Sequence, residues 1–554
     1  MGILRTQSEF GHAPPPQTPY SIVTNIPGWD MLKAFREGDM SPLARIVHIY
    51  PRLSPTLYAR TLSQEIAKRV GLAEWSCFMY LDPVMWKYTE GHVAHEQRKE
   101  FAISSDRLTF KVVDVAGHRL YCVLFEPQHG MALRYSWGVP GLGLSVRESE
   151  HLLGSIDTLV QVPLENKLDP PAPTWTPESR WHDLLRERIV ELVRHGAIDP
   201  QLVQCQARDV YLYPSGMAAI FEAKNMLQEY RPNKTNVELG MVFHNTHELL
   251  HEESPGGWEH FGRVDEQGLD HFEAWLDEKA GQGGGVTFAI VEIPGNPTLE
   301  TPDLPRLKRL SEKHNFVLIV DDTVGSFSNI DVLSQSDMLL TSLTKSFNGR
   351  SDALGGSIVL NPLSSHYTQL ARRLFETHHN QLFAADAQVL LSNSHDFFQR
   401  SQRLNANAQA MAEFLHNSMT EQPHVSPVVN VQYPSLLPSR AYYDACKRRS
   451  TPEMPDPGYG CLLTVEFESV DTTRAFYDRC GFYPSPHLGG HVTIMFPYNM
   501  FMFGKDKEEA ARMVEYGIRE ESVRISAGLE ETQDLLDTLQ DALEAAMEVK
   551  RSQH

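Results

Sequence analysis

Three short runs, VTFAIVEI, FVLIVDD and DMLLTSL, carry apolar side chains on both faces and fall between Arg180 and about residue 400, separated by segments of helical periodicity. A strand that is apolar on both sides must be covered on both sides. Helices are the available cover, so this region is predicted to be an α/β unit on a parallel sheet. Ligands of such sheets sit outside the carboxyl ends of the strands, so the residues closing these runs are the first candidates for chemistry.

The flanking segments read differently. Residues 1–19 contain Pro14-Pro15-Pro16 and few apolar anchors, the pattern of a disordered tail. Residues 20–71 form an arm and then a helix, with Leu57, Leu62, Ile66 and Val70 on one face after Pro51 and Pro55. Residues 72–180 read as an inserted α/β unit with strands LTFKVVDV and RLYCVLF, closed by the Pro-rich linker Asp169 to Ser179. The ligand-binding large domain is placed at 181–400. A smaller α+β domain follows at 401–554, with a long helical stretch (Ala385 to Ser418) at the junction, strands GCLLTVEF, HVTIMF and VRISAG, and a helix from about Thr532 to Lys550.

The formal charge of -21 argues against a nucleic-acid or anionic-membrane partner, because polyanions would be repelled over most of the surface. No apolar run reaches the roughly eighteen residues of a membrane span. The six cysteines include no Cys-x-x-Cys pair, which suggests reduced thiols and a cytoplasmic protein.

The run ending in DMLLTSL delivers Lys345 into a Gly-punctuated loop, TKSFNGRSDALGG. A lysine at a strand end can form a Schiff base, and Ser342 and Thr344 beside it offer hydroxyls to a phosphate. An ordinary solvated lysine is the alternative. FVLIV ends in Asp321-Asp322-Thr323, where a buried carboxylate could pair with a protonated pyridine nitrogen. YPSGMAAI sets Ser215-Gly216 before a helix, whose free amides suit a phosphate. Asn296 in VEIPGNP could donate to a ring oxygen, and Arg524 in VRISAG could fork onto a carboxylate. Each has a structural alternative as a turn, cap or surface residue, but together they make the set that pyridoxal phosphate (PLP) needs.

In this order, SGMAAI, EIPGNP, VDDT, TSLTKSFNG and VRISAGLE, with YPRL and RYSWGVPGLGLSVRESE upstream, resemble the Cys/Met-metabolism family of PLP-dependent enzymes, specifically the fungal-type cystathionine gamma-synthases. The resemblance runs from about Tyr20 to Ala545. It implies a type I, aspartate-aminotransferase-like fold, with Lys345 as the Schiff-base lysine and Asp321 on the pyridine nitrogen. Asn296 would meet the ring hydroxyl, and Thr323 would belong to the same coenzyme site. Gly216, Met217, Ser342 and Thr344 would hold the phosphate, and Arg524 the substrate carboxylate. Tyr50-Pro51-Arg52 looks like the element with which a neighbouring subunit grips the phosphate, so a homodimer or homotetramer with shared sites is implied. Where relatives place a tyrosine over the ring, this chain has Phe243, which can stack but cannot move a proton.

The implied reaction is γ-replacement on an O-acyl-L-homoserine by a thiol or a stabilised carbon nucleophile. A rival motif is His247-Glu248-Leu249-Leu250-His251, the His-Glu-x-x-His pattern of zinc hydrolases, for which no third ligand at a recognised spacing is evident. A non-catalytic scaffold is a third reading, opposed by the presence of both Lys345 and Asp321.

Overall fold

The computed structural model describes every residue except 1, 52, 96, 97, 99, 100, 505, 506 and 554. The expected grip residue Arg52 therefore lies outside the described residues.

The large sheet has seven strands: β5 (Val210–Tyr213), β6 (Thr235–Leu239), β7 (Trp258–Phe261), β8 (Val286–Glu292), β9 (Val317–Asp321), β10 (Met338–Thr341) and β11 (Gly356–Leu360), in the order β5-β11-β10-β9-β8-β6-β7. From β10 to β7 all neighbours are parallel, as expected; β11 runs antiparallel to both β10 and β5. The Lys345 loop, fourteen residues from Ser342 to Gly355, carries no helix and turns the chain back beside β10.

The two-sided pattern is visible in alternate residues. Val317 and Ile319 of β9 pack on one face with the helix Gly216–Tyr230, while Leu318 and Val320 pack on the other with the helix Arg180–Arg194. That first helix is capped by Ser215, whose hydroxyl accepts from Ala218 N at 3.1 Å.

The insert is a four-stranded antiparallel sheet, β1 (Ser76–Tyr80), β2 (Thr109–Val115), β3 (His118–Phe125) and β4 (Val160–Val162), in the order β1-β3-β2-β4. One face, with Val113 and Leu120, covers Leu62 and Ile66 of the helix Leu57–Arg69. The other, with Tyr121 and Val123, joins the core that holds Ala218 and Phe221 of the large domain. The insert is thus fused to the back of the helix Gly216–Tyr230.

The small domain carries β12 (Val428–Gln432), β13 (Leu462–Phe467), β14 (Tyr483–Pro484), β15 (Ile494–Phe496) and β16 (Ser522–Ser526), in the order β12-β13-β16-β15-β14. The helical stretch before it is two helices, Ala384–Asn393 and Phe397–Glu421, and the last helix spans Thr532–Gln553. The first residues differ from the disordered tail that composition suggested. Gly2 N donates to Asp534 Oδ1 at 2.9 Å, Leu4 N donates to Thr538 Oγ1 at 2.8 Å, and Arg5 pairs with Asp541 at 2.9 Å, while Leu4 and Phe10 pack on the small-domain core. A few anchors matched to the polar face of one helix place the segment, which composition averages conceal.

Ile319, 2% exposed in the central strand, and Val429, 47% exposed on an edge strand, give a direct test of this packing. Chemical denaturation should show Ile319→Ala costing about 2–5 kcal/mol, by lost transfer energy plus a cavity, and Val429→Ala less than about 0.5 kcal/mol.

Candidate active site

Three neighbouring strands end at one place. The parallel register sets Glu292 of β8 beside Asp321 of β9, and Asp321 beside Leu340 of β10, so the loop after β10 opens over two carboxyl groups. Lys345 emerges from that loop into a pocket also lined by Gly216, Met217, Phe243, Asn296 and Arg524. The described residues that the motifs singled out for PLP and substrate therefore converge.

The loop is held from several sides. Ser342 N donates to Thr323 Oγ1 at 2.8 Å, and Arg400 donates to the carbonyls of Ser346 and Phe347 at 2.8 and 3.0 Å. Gly349 adopts φ +64°, and a Cβ there would run into the Arg400 guanidinium, so glycine is required. Thr344 lines the pocket, but its hydroxyl proton goes to Gly355 O at 3.2 Å, which leaves Ser342 the freer donor of the two.

The Lys345 amine lies 3.1 Å from Tyr50 Oη and 3.2 Å from His487 Nδ1. Tyr50, expected from a neighbouring subunit, here belongs to the same chain and touches the lysine. Ile46, Ile49 and Leu53 pack into the small-domain core, which carries the tyrosine into its own pocket.

Asp321 is buried at the end of β9, and Thr323 N donates to its Oδ1 at 2.9 Å; burial raises its carboxyl to about 6. Asp322 instead accepts from Thr341 at 2.6 Å and does not line the pocket. Glu292 accepts from Phe243 N at 2.7 Å, and burial, together with the charge of Asp321, holds it well above the usual carboxylate range. Arg524 is 3% exposed, lies 4.1 Å over the Tyr498 ring, and donates to Asn296 Oδ1 at 2.9 Å and Pro486 O at 2.6 Å. With its oxygen taken, Asn296 has its amide N–H free to donate. A buried guanidinium whose partners are neutral oxygens suits an incoming carboxylate.

Two groups escaped the motif reading, Glu292 and His487. A glutamate interrupting the apolar run VTFAIVEI was a usable signal for the first; His487 had none, since PSPHLGG reads as a turn. The His-Glu-x-x-His pattern does not converge on one point. His247 Nδ1 pairs with Glu238 at 2.9 Å, Glu248 faces His244 at 3.4 Å, and His251 packs against Trp258 with ring centroids 4.8 Å apart. The group spaced to hold an ion among the described residues is Glu238, His247 and His260, without the catalytic glutamate of the motif.

Comparison with known proteins agrees with this geometry. Residues 201–544 match the family described as Cys/Met metabolism PLP-dependent enzyme. A cystathionine gamma-synthase-like enzyme of Amanita muscaria is 28% identical over 99% of this chain and 100% of its own length. The cystathionine gamma-synthase of Neurospora crassa is 33% identical over 63% of this chain and 54% of its own. The solved structure of cystathionine gamma synthase from Xanthomonas oryzae pv. oryzae, in complex with aminoacrylate and cysteine, superposes with a TM-score of 0.53 at 23% identity, covering 67% of this chain and 86% of that one. The chain belongs to the Cys/Met metabolism PLP-dependent enzymes and is cystathionine gamma-synthase-like, with a type I fold and pyridoxal 5'-phosphate as coenzyme.

The residues fit that coenzyme. Gly216 opens a helix of fifteen residues whose first amides have no partner within the helix, and a Cβ at 216 would lie 2.7 Å from Ser342 Cβ, closing the space between the amides and the hydroxyl. Among the described residues, no helix is long and apolar enough to cross a membrane.

Asp321 titrates at about 6 in the fold, above the ordinary 3.8, so its favourable contribution is present at low pH and is lost as the pH rises through that interval. At 1.36 kcal/mol per pH unit the loss is about 3 kcal/mol. Urea unfolding of the coenzyme-free protein between about pH 4 and 7 should show Asp321→Asn gaining on the parent by that amount, with the gain level above the upper limit.

Proposed function

We propose that the chain catalyses γ-replacement on an O-acyl-L-homoserine. The observation that carries this reading is the convergence on one pocket of Lys345, Asp321 and the buried Arg524, whose hydrogen bonds among the described residues go to neutral oxygens.

Arg524 binds the α-carboxylate of the amino acid and sets the substrate against the lysine. PLP, held by the Gly216–Met217 amides, Ser342, Asp321 and Asn296, supplies the electron sink for charge developing at the α carbon. The Lys345 amine takes the α proton onto Nζ and hands it to the conjugated system that the coenzyme would supply, which frees the amine to take a β proton. Once the new bond stands at the γ carbon, protons return to the β and α carbons. The acyloxy group leaves the γ carbon as a carboxylate with its bonding pair, and the nucleophile forms its bond there. Phe243 packs on the site without exchanging protons.

A cysteine nucleophile would give cystathionine. A carbon nucleophile, giving a carbon-carbon bond, is the alternative, for which Phe243, Ile220, Leu340 and Leu354 offer apolar surface in the pocket. Assembly as a homodimer or homotetramer belongs to the same proposal and rests on the family resemblance, with Tyr50 supplied in cis. Action in the cytoplasm is supported by six free, buried cysteines.

Purified holoprotein should absorb near about 420 nm, and Lys345→Ala should shift that band. Incubation with O-acetyl- or O-succinyl-homoserine and a panel of thiols and carbon acids, read by mass spectrometry, should reveal one adduct at the γ carbon. Lys345→Ala should lower turnover by at least about 10²-fold with the fold retained by circular dichroism. Unchanged turnover in that variant contradicts the assignment of the base.

A further inference from the structure

His487 lies in the loop between β14 and β15, and two contacts fix that loop against the lysine. Pro486 O accepts from Arg524 at 2.6 Å, and Gly489 N donates to Ser526 Oγ at 2.9 Å. Gly489 adopts φ +71°, and a Cβ there would meet Ser346 N at 2.6 Å, so this loop and the one bearing Lys345 touch backbone to backbone. The imidazole between them is 1% exposed, with Nδ1 3.2 Å from the Lys345 amine. Its Nε2 is buried without a hydrogen-bond partner among the described residues. A side chain that only filled space would do better here without an unpaired nitrogen, so the arrangement is understandable if Nδ1 is what matters.

We propose that His487 is a positioning residue which, with the Tyr50 hydroxyl, holds and aims the amine of Lys345 between its proton transfers. An ammonium has three N–H donors. Two meet Tyr50 Oη and His487 Nδ1, leaving one to point into the pocket toward the carbon that must receive a proton. Nδ1 can accept only if the ring is neutral with its hydrogen on Nε2. The groups facing it are Tyr50, Lys345, Arg524 and His491; burial first, then the charges of Lys345, Arg524 and His491, hold the ring well below the usual histidine range. Phe243 brings no hydroxyl to the lysine, and among the described residues the hydrogen bonds of the amine go to these two rings. Their centroids are 6.1 Å apart in an edge-to-face arrangement, which keeps both oriented.

This inference rests on the reading of Lys345 as the base, and its test separates the two. His487→Asn puts an amide oxygen where Nδ1 was, His487→Gln moves the acceptor outward by one bond, and His487→Leu removes it. With the substrate pair that the parent turns over, kcat should fall on the order of 10²-fold in the Leu and Gln variants at little-changed KM, and return to within a few-fold of the parent in Asn. The second readout needs neither substrate nor coenzyme: acetylation of Lys345 in the apoprotein against pH, followed by peptide mass. Loss of an acceptor disfavours the ammonium, so the labelling midpoint should drop by about one pH unit in Leu and Gln and stay in place in Asn. An unchanged midpoint in Leu, or equal shifts in Asn and Gln, overturns the proposal. Should the Leu variant not fold, the Asn and Gln pair decides it. Should the parent turn over no O-acyl-homoserine, the reaction reading fails while the labelling still decides the role of His487.

Discussion

The parallel, in-register pairing of β8, β9 and β10 is the constraint on which the site depends. It sets Glu292 and Asp321 side by side and brings the strand carrying Lys345 to the same level. Two carboxyl groups in one buried place cannot both ionise cheaply, and burial raises both, Glu292 further because Asp321 stands beside it. The arrangement persists because the third strand and the small domain bring positive groups, Lys345 and Arg524, to the opposite side. Remove the register and the carboxyl pair, the lysine and the arginine have no common address.

The insert takes part in this arrangement from behind. Its sheet shares a core with the helix Gly216–Tyr230. The segment between β3 and β4 reaches the start of that helix, since Ser215 Oγ donates to Gly141 O at 2.9 Å. Arg147 then pairs with Asp386 at 3.0 Å and donates to Asp352 O at 2.6 Å, close to the glycines that close the lysine loop. The segment RYSWGVPGLGLSVRESE is therefore a brace between the insert and both coenzyme-facing loops, which gives a stretch of sequence without evident chemistry a physical purpose.

Much of the fold was legible because covered parallel strands have no polar face and therefore announce both their state and their neighbours. Lys345, Asp321 and Asn296 were legible for a related reason: polar residues closing an apolar run have nowhere to go but the strand ends. The antiparallel β11 was not, since its direction is set by the path of the loop before it and not by any pattern within the strand. Tyr50 was legible as a site residue, and the structure sets it beside the lysine of its own chain, because a motif records which side chain is needed and not the path that delivers it. Arg524 was named as a carboxylate binder with a surface position as the alternative, and its burial follows from the place of its strand in the middle of the small sheet, between β13 and β15. The His-Glu-x-x-His pattern shows the converse, a correct spacing whose glutamate and second histidine find other partners.

The order of residues along the chain determined by itself the class of fold, the lysine, the acid at 321 and the helix start that can take an anion, because each is a local pattern with a local physical cause. Tertiary structure decided the rest: that Glu292 and Asp321 share a site, that Tyr50 and His487 meet the lysine from opposite ends of the chain, and that Arg524 is buried with its hydrogen bonds, among the described residues, on neutral oxygens. Those properties come from dielectric surroundings and from contacts between residues hundreds of positions apart. No local pattern encodes them.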